Sequence, residues 1–164
     1  MKRFTILTVL LTVALLATMM PSAGAVGQGQ TFVAPASGAQ EVPPNDSLAR
    51  GQTIFRLSAD GDQLSYRLIV ANLENVIQAH IHLAPAGVNG PVVAWLYPSG
   101  PPAQLIPGRS SGVLATGTIT EADLVGPLAG QSLADLVDEM EAGNTYVNVH
   151  TSQFPPGEIR GQIR

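Results

Sequence analysis

From residue 31 onward, apolar and polar residues alternate in short runs, and Gly, Pro, Asn and Asp separate one run from the next. Period-two alternation between turn-forming residues predicts β-strands rather than helices. Residues 53–57 (TIFRL) form one such run, and Asp60-Gly61 follows as a hairpin turn of the kind that needs positive φ. Residues 63–71 answer as its partner, with Leu64, Tyr66, Leu68 and Val70 on one face. Further strands are predicted over 78–83, over 91–97 after the Asn89-Gly90 turn, and over 112–119, 145–151 and 158–164.

Two stretches break the alternation. Residues 98–111 are rich in proline and glycine and have no period, so they read as a long loop. Thr120 with Asp123, and Ser132 with Asp135, are S/T-x-x-D arrangements that cap helix starts. After the second, Leu133, Leu136, Val137 and Met140 recur at helical spacing, and Gly143 provides a stop. The acidic residues 135, 138, 139 and 141 then lie on the wet side of that helix. Seven or eight short strands with one short inserted helix predict an all-β domain, either a Greek-key β-sandwich or a flattened barrel.

The start of the chain changes the picture of where this domain works. Lys2 and Arg3 precede an apolar run over 4–20, and Ala23-Gly24-Ala25 ends it with the small residues of a cleavage site. Residues 1–25 are therefore expected to be a signal peptide, 26–30 a flexible leader and 31–164 one domain, secreted or held in the cell envelope. Removing 25 of the 164 residues leaves 139, enough for a single core, and takes the formal net charge from −4 to −6. What remains has no lysine, and its scattered arginines form no basic stripe, so nucleic acid is excluded as a partner. No later segment is long and apolar enough to span a membrane. Cysteine is absent, which rules out thiolate chemistry and leaves nitrogen and oxygen as the metal-ligand atoms on offer. The phosphate-binding glycine loop, the G-x-S-x-G elbow and the H-E-x-x-H helix are all missing, so a non-enzymatic role is expected.

Several motifs resemble those of one known family. Gly38-Ala39-Gln40-Glu41-Val42-Pro43-Pro44 resembles the opening of the CHRD (chordin-type) domain. Ala79-His80-Ile81-His82-Leu83 with Asn89-Gly90-Pro91 resembles its middle, and Tyr146-Val147-Asn148-Val149-His150-Thr151 with Phe154-Pro155 and Gly157-Glu158-Ile159-Arg160-Gly161 resembles its end. The resemblance implies an immunoglobulin-like β-sandwich or barrel. It also implies an extracellular binding or structural module that acts on a protein or other component of the cell surface.

All three histidines lie inside these motifs. Residues two apart in a strand share a face, so His80 and His82 project together, opposite Ala79, Ile81 and Leu83. Tyr146, Asn148 and His150 likewise share a face opposite Val147 and Val149. Were the two strands neighbours, three imidazoles would converge as neutral nitrogen donors suited to copper or zinc, with Glu158, Glu41 or Gln78 as auxiliary ligands or orienting groups. The alternative is a structural cluster satisfied by hydrogen bonds. The arrangement is also similar to the copper side of copper/zinc superoxide dismutases. The bridging histidine, the cysteines and the histidine-rich zinc loop are missing, which implies at most a reduced copper-only or zinc-binding site. Glu158 and Arg160, two apart, are expected to pair and lock the closing strand, while Tyr66, Trp95, Tyr97, Tyr146 and Phe154 are expected mainly in the core.

Overall fold

The computed structural model describes residues 29–164; the expected signal peptide and residues 26–28 of the expected leader lie outside the described residues. Seven strands form one sheet: β1 (Thr31–Ser37), β2 (Arg50–Leu57), β3 (Leu64–Leu83), β4 (Val92–Tyr97), β5 (Ile106–Ile119), β6 (Thr145–Thr151) and β7 (Ile159–Gln162). All pairings are antiparallel, in the order β2-β1-β7-β6-β3-β4, with β5 on β3. An additional β2–β3 pairing closes the ring. Of the two forms anticipated, the chain therefore takes the closed barrel and not the two-layer sandwich.

Closure depends on the length of β3, whose 20 residues serve two neighbourhoods. Residues 64–71 pair with β2, and the stretch from Val76 to Leu83 pairs with β6. The alternation predicted two strands here, 63–71 and 78–83. They are one, because Asn72 (φ 62°) and Asn75 (φ 54°) take up the left-handed region at register shifts and bend the strand without ending it. The predicted loop over 98–111 is also corrected, since β5 begins at Ile106. β5 is largely exposed, so neither of its faces required an apolar series and its N-terminal half carries none.

Inside the barrel, Phe55, Leu64, Leu68, Ala79, Ile81, Val147, Val149 and Ile159 are fully buried. The helix α1 (Leu133–Glu141) lays Leu133, Leu136, Val137 and Met140 against this core. It starts at the anticipated capping box, in which the Ser132 hydroxyl accepts from the Asp135 N–H and the Asp135 carboxylate accepts from the Ser132 N–H. The Thr120–Asp123 box caps only a single 3₁₀ turn over Glu121–Asp123. Among the described residues no helix is long and apolar enough to cross a membrane.

Candidate metal centre

With Ile81, Val147 and Val149 turned inward, the alternate positions of β3, β6 and β7 form a second face, and that face is polar. Register places Gln78 opposite His150, His80 opposite Asn148, and His82 opposite Tyr146. On the other side of β6, Asn148 faces Arg160 and Tyr146 faces Gln162. Polar side chains on an outward sheet face normally meet water. Here every residue of β6 is buried, and His80, His82, His150, Asn148 and Arg160 are each less than a tenth exposed.

Three loops provide the cover, and each contributes hydrogen-bonding groups. Glu41 follows β1 and reaches Asn148, whose Nδ2 donates to Oε2 at 3.4 Å. The loop between β3 and β4 supplies the Gly90 carbonyl, 2.9 Å from His82 Nδ1, and the Pro85 and Val88 carbonyls, which accept from Arg160. The turn before β7 supplies the Pro155 carbonyl, 2.9 Å from His150 Nδ1. The motif segments outside the strands are therefore the lid over the histidine-bearing face.

These bonds fix the tautomers. A carbonyl oxygen only accepts, so Nδ1 of His82 and of His150 each carries the hydrogen, and each Nε2 presents a lone pair. His80 Nδ1 lies 3.3 Å from His150 Nε2. Two nitrogens bound at about 2.0–2.1 Å to one tetrahedral ion would stand at nearly this separation. The candidate ligand atoms of all three rings lie within 4.8 Å of one another. Nε2 of His80 and Nε2 of His82 are buried and have no hydrogen-bond partner. A buried polar atom left unpaired costs about 1–3 kcal/mol, so two of them in one cluster need a reason.

Burial keeps the rings neutral. It pushes the His80 imidazole down to about 3, and the neighbouring His150 and His82 add to the effect. It pushes His82 down to about 4 against the opposing bond to Gly90, and it lowers His150 as well. Neutral imidazoles with fixed lone pairs are the form that ligates a metal, and an Nδ1–H bound to a carbonyl is the usual orienting contact of such ligands.

Among the described residues neither of the two expected carboxylates belongs to the group of candidate ligands, which is His80, His82 and His150. Glu158 accepts from Ser47 Oγ and Thr151 Oγ1, both at 2.7 Å. Gln78 shares the face but is only half-buried. Glu41 is separated from the rings by Asn148, and burial pushes its carboxyl up to about 7 against the lowering effect of Arg160. Its Oε1 and the Asn148 Oδ1 are both buried without partners. Both oxygens also crowd the point where a Cβ on Gly157 would stand, so they are neighbours. A proton on Glu41 Oε1 would let it donate to Asn148 Oδ1 and satisfy both atoms at once.

The expected Glu158–Arg160 pair is corrected too, since the two residues take different partners. Arg160, 1% exposed, donates to Asn89 Oδ1 and to two loop carbonyls, and its guanidinium carbon sits 3.5 Å from the centroid of the Tyr146 ring. The ring of His82 stacks on Tyr146 at 4.8 Å. Because β6 lies between β3 and β7, Tyr146 links the arginine of one flanking strand to the histidine of the other. Trp95, opposite His80 in register, meets that ring edge-on at 4.3 Å. Sequence reasoning passed over Asn148 and the Arg160–Tyr146 contact. The available signal was a run of polar residues at alternate positions in two late strands, 146-148-150 and 158-160-162.

Comparison with known proteins yields one family. Neither a curated protein nor a solved structure matches the chain. The model of the CHRD domain matches residues 32–163, taking in all seven strands, the three histidines and the loops that cover them. The chain belongs to the CHRD domain family.

Proposed function

We propose that this chain is an exported CHRD-domain protein that holds a copper or zinc ion on His80, His82 and His150. One observation carries the reading: three neutral, buried imidazoles face one another, backbone carbonyls set the lone pairs of His82 and His150, and Nε2 of His80 and of His82 has no hydrogen-bond partner. The apolar leader ending in Ala23-Gly24-Ala25 supports export. Three nitrogen donors satisfy the ligand preferences of both ions, and the absence of cysteine excludes a thiolate ligand.

The test is elemental analysis of protein purified without a histidine tag, followed by titration with copper(II) and zinc(II). Trp95 is the only tryptophan in the chain and touches His80, so its fluorescence reports on the site. Near-stoichiometric metal, with copper quenching the emission and both effects lost in the His80→Ala/His82→Ala double variant, is the expected result. Protein that is metal-free and takes up neither zinc(II) nor copper in either oxidation state overturns the proposal.

Family membership favours a second reading, an extracellular binding or structural module. Its test is a pull-down from the native cell surface, in which no enriched partner counts against it.

A further inference from the structure

We infer that the three-histidine centre selects monovalent copper over divalent ions, an inference that rests on the metal-centre reading above. The argument is one of charge. The cost of placing an ion in a poorly solvated interior rises with the square of its charge, so a divalent ion pays about four times the solvation cost of a monovalent one unless anions surround it. This cluster offers no anion. Its ligand group holds only neutral imidazoles, each less than a tenth exposed.

The nearest carboxylates are engaged elsewhere. Glu158 is bound by the hydroxyls of Ser47 and Thr151, and Glu41 is bound by Asn148. The other nearby charge has the wrong sign for a divalent cation. Arg160 is buried, always cationic, and joined to His82 through the Tyr146 ring. Even with Glu41 ionised, it does no more than cancel Arg160, which leaves the full charge of any bound ion uncompensated.

Coordination number points the same way. Zinc(II) takes four ligands and needs a water or a protein donor beyond the three rings. Monovalent copper, a closed-shell ion of low charge, is satisfied by three nitrogens and asks for no water inside a covered face. Without a thiolate, selectivity for that oxidation state has to come from burial and field rather than from ligand softness.

The experiment is an anaerobic titration of the whole protein with copper(I) against a chromophoric copper(I) chelator, with parallel competitions for copper(II) and zinc(II). Copper(I) held at one equivalent and at least tenfold more tightly than either divalent ion is the expected result. Divalent binding as tight as, or tighter than, copper(I) binding overturns the inference and leaves the metal centre standing. Failure to bind any of the three ions removes the metal centre itself. Two variants outside the ligand set test the cause at pH 8. Arg160→Gln should narrow the copper(I)-to-copper(II) affinity ratio and Glu41→Gln should widen it. Where Arg160→Gln does not fold, the Glu41→Gln ratio decides alone, and an unchanged or smaller ratio there overturns the electrostatic explanation.

Discussion

His80 and His150 approach to 3.3 Å, Nδ1 to Nε2, although 70 positions separate them in the sequence and neither is the other's direct partner in the sheet. His80 pairs with Asn148 and His150 pairs with Gln78, so the two rings meet on the diagonal. Long side chains can bridge diagonal positions of an antiparallel pair. The contact therefore depends on the β3–β6 register, and a slip of one residue would put His150 on the opposite face from His80 and His82.

Burial of neutral imidazoles gives the metal-free protein a definite response to acid. Each folded-state value lies below the ordinary histidine value of 6.5, so between the two the unfolded chain binds more protons and stability falls with falling pH. The loss begins near pH 6.5 and continues to about 4 for His82 and about 3 for His80. Glu41 acts in the opposite direction: its folded value of about 7 exceeds 4.5, so its part of the stability grows as pH falls across that interval. Three rings outweigh one carboxyl. Urea midpoints measured at pH 7.5, 5.5 and 4.5 should decline in that order, and a flat or rising series contradicts the assignment.

Replacing Glu41 should expose its half of this balance. Glu41→Gln keeps the shape and removes the charge, so the variant should be more stable than the parent at pH 8, by about 1–2 kcal/mol after allowance for screening. The difference should shrink as pH falls toward 4.5, where the folded carboxyl is protonated and the unfolded one is about half protonated. Paired denaturation curves at the two pH values give the answer, and a variant less stable at pH 8 would show that the charged form is the favoured one.

Gly157 tolerates no side chain. Its φ of 142° is outside the range that other residues readily adopt, and a Cβ there would collide with Asn148 and Glu41. Gly157→Ala should cost about 2–4 kcal/mol and displace the turn that carries the Pro155 carbonyl. Thermal unfolding measures the first effect. A parent-like melting temperature would mean that the turn adapts freely.

The inward face can be tested with a charge. Ile81 and Val149 are fully buried on the side opposite the histidines, so Asp at either position leaves an unpaired carboxylate in the core at a cost of several kcal/mol. Soluble yield should collapse in both variants. Normal yield with normal thermal stability would mean that the strand faces are reversed.

Much of this was legible in the sequence because period-two alternation states which residues share a face, and it does so for 79–83 and 145–151 alike. The helix was legible from its capping box and apolar spacing. The continuity of β3 was not, because Asn72 and Asn75 are turn formers whose left-handed backbone here bends a strand instead of ending it. The start of β5 was hidden because an exposed edge strand imposes no pattern on its residues, and Pro107 within it suggests a loop. At the site, the histidines were conspicuous but their setting was not. The carbonyls of Gly90 and Pro155 come from loops, and backbone groups leave no trace in residue identity. Arg160 next to Glu158 suggested a local pair, whereas its partners are about 70 or more residues away in the 85–89 loop.

The last strand in the chain fills the gap in the barrel wall between the first and the sixth, since β7 joins β1 to β6. Such long-range pairing has a large entropic cost before it gains contacts, so it forms late and slowly. During synthesis the chain presents His80 and His82 well before β7 emerges to complete the wall. Until then the first two imidazoles stand uncovered, so the burial that keeps them neutral is acquired only when the last strand arrives.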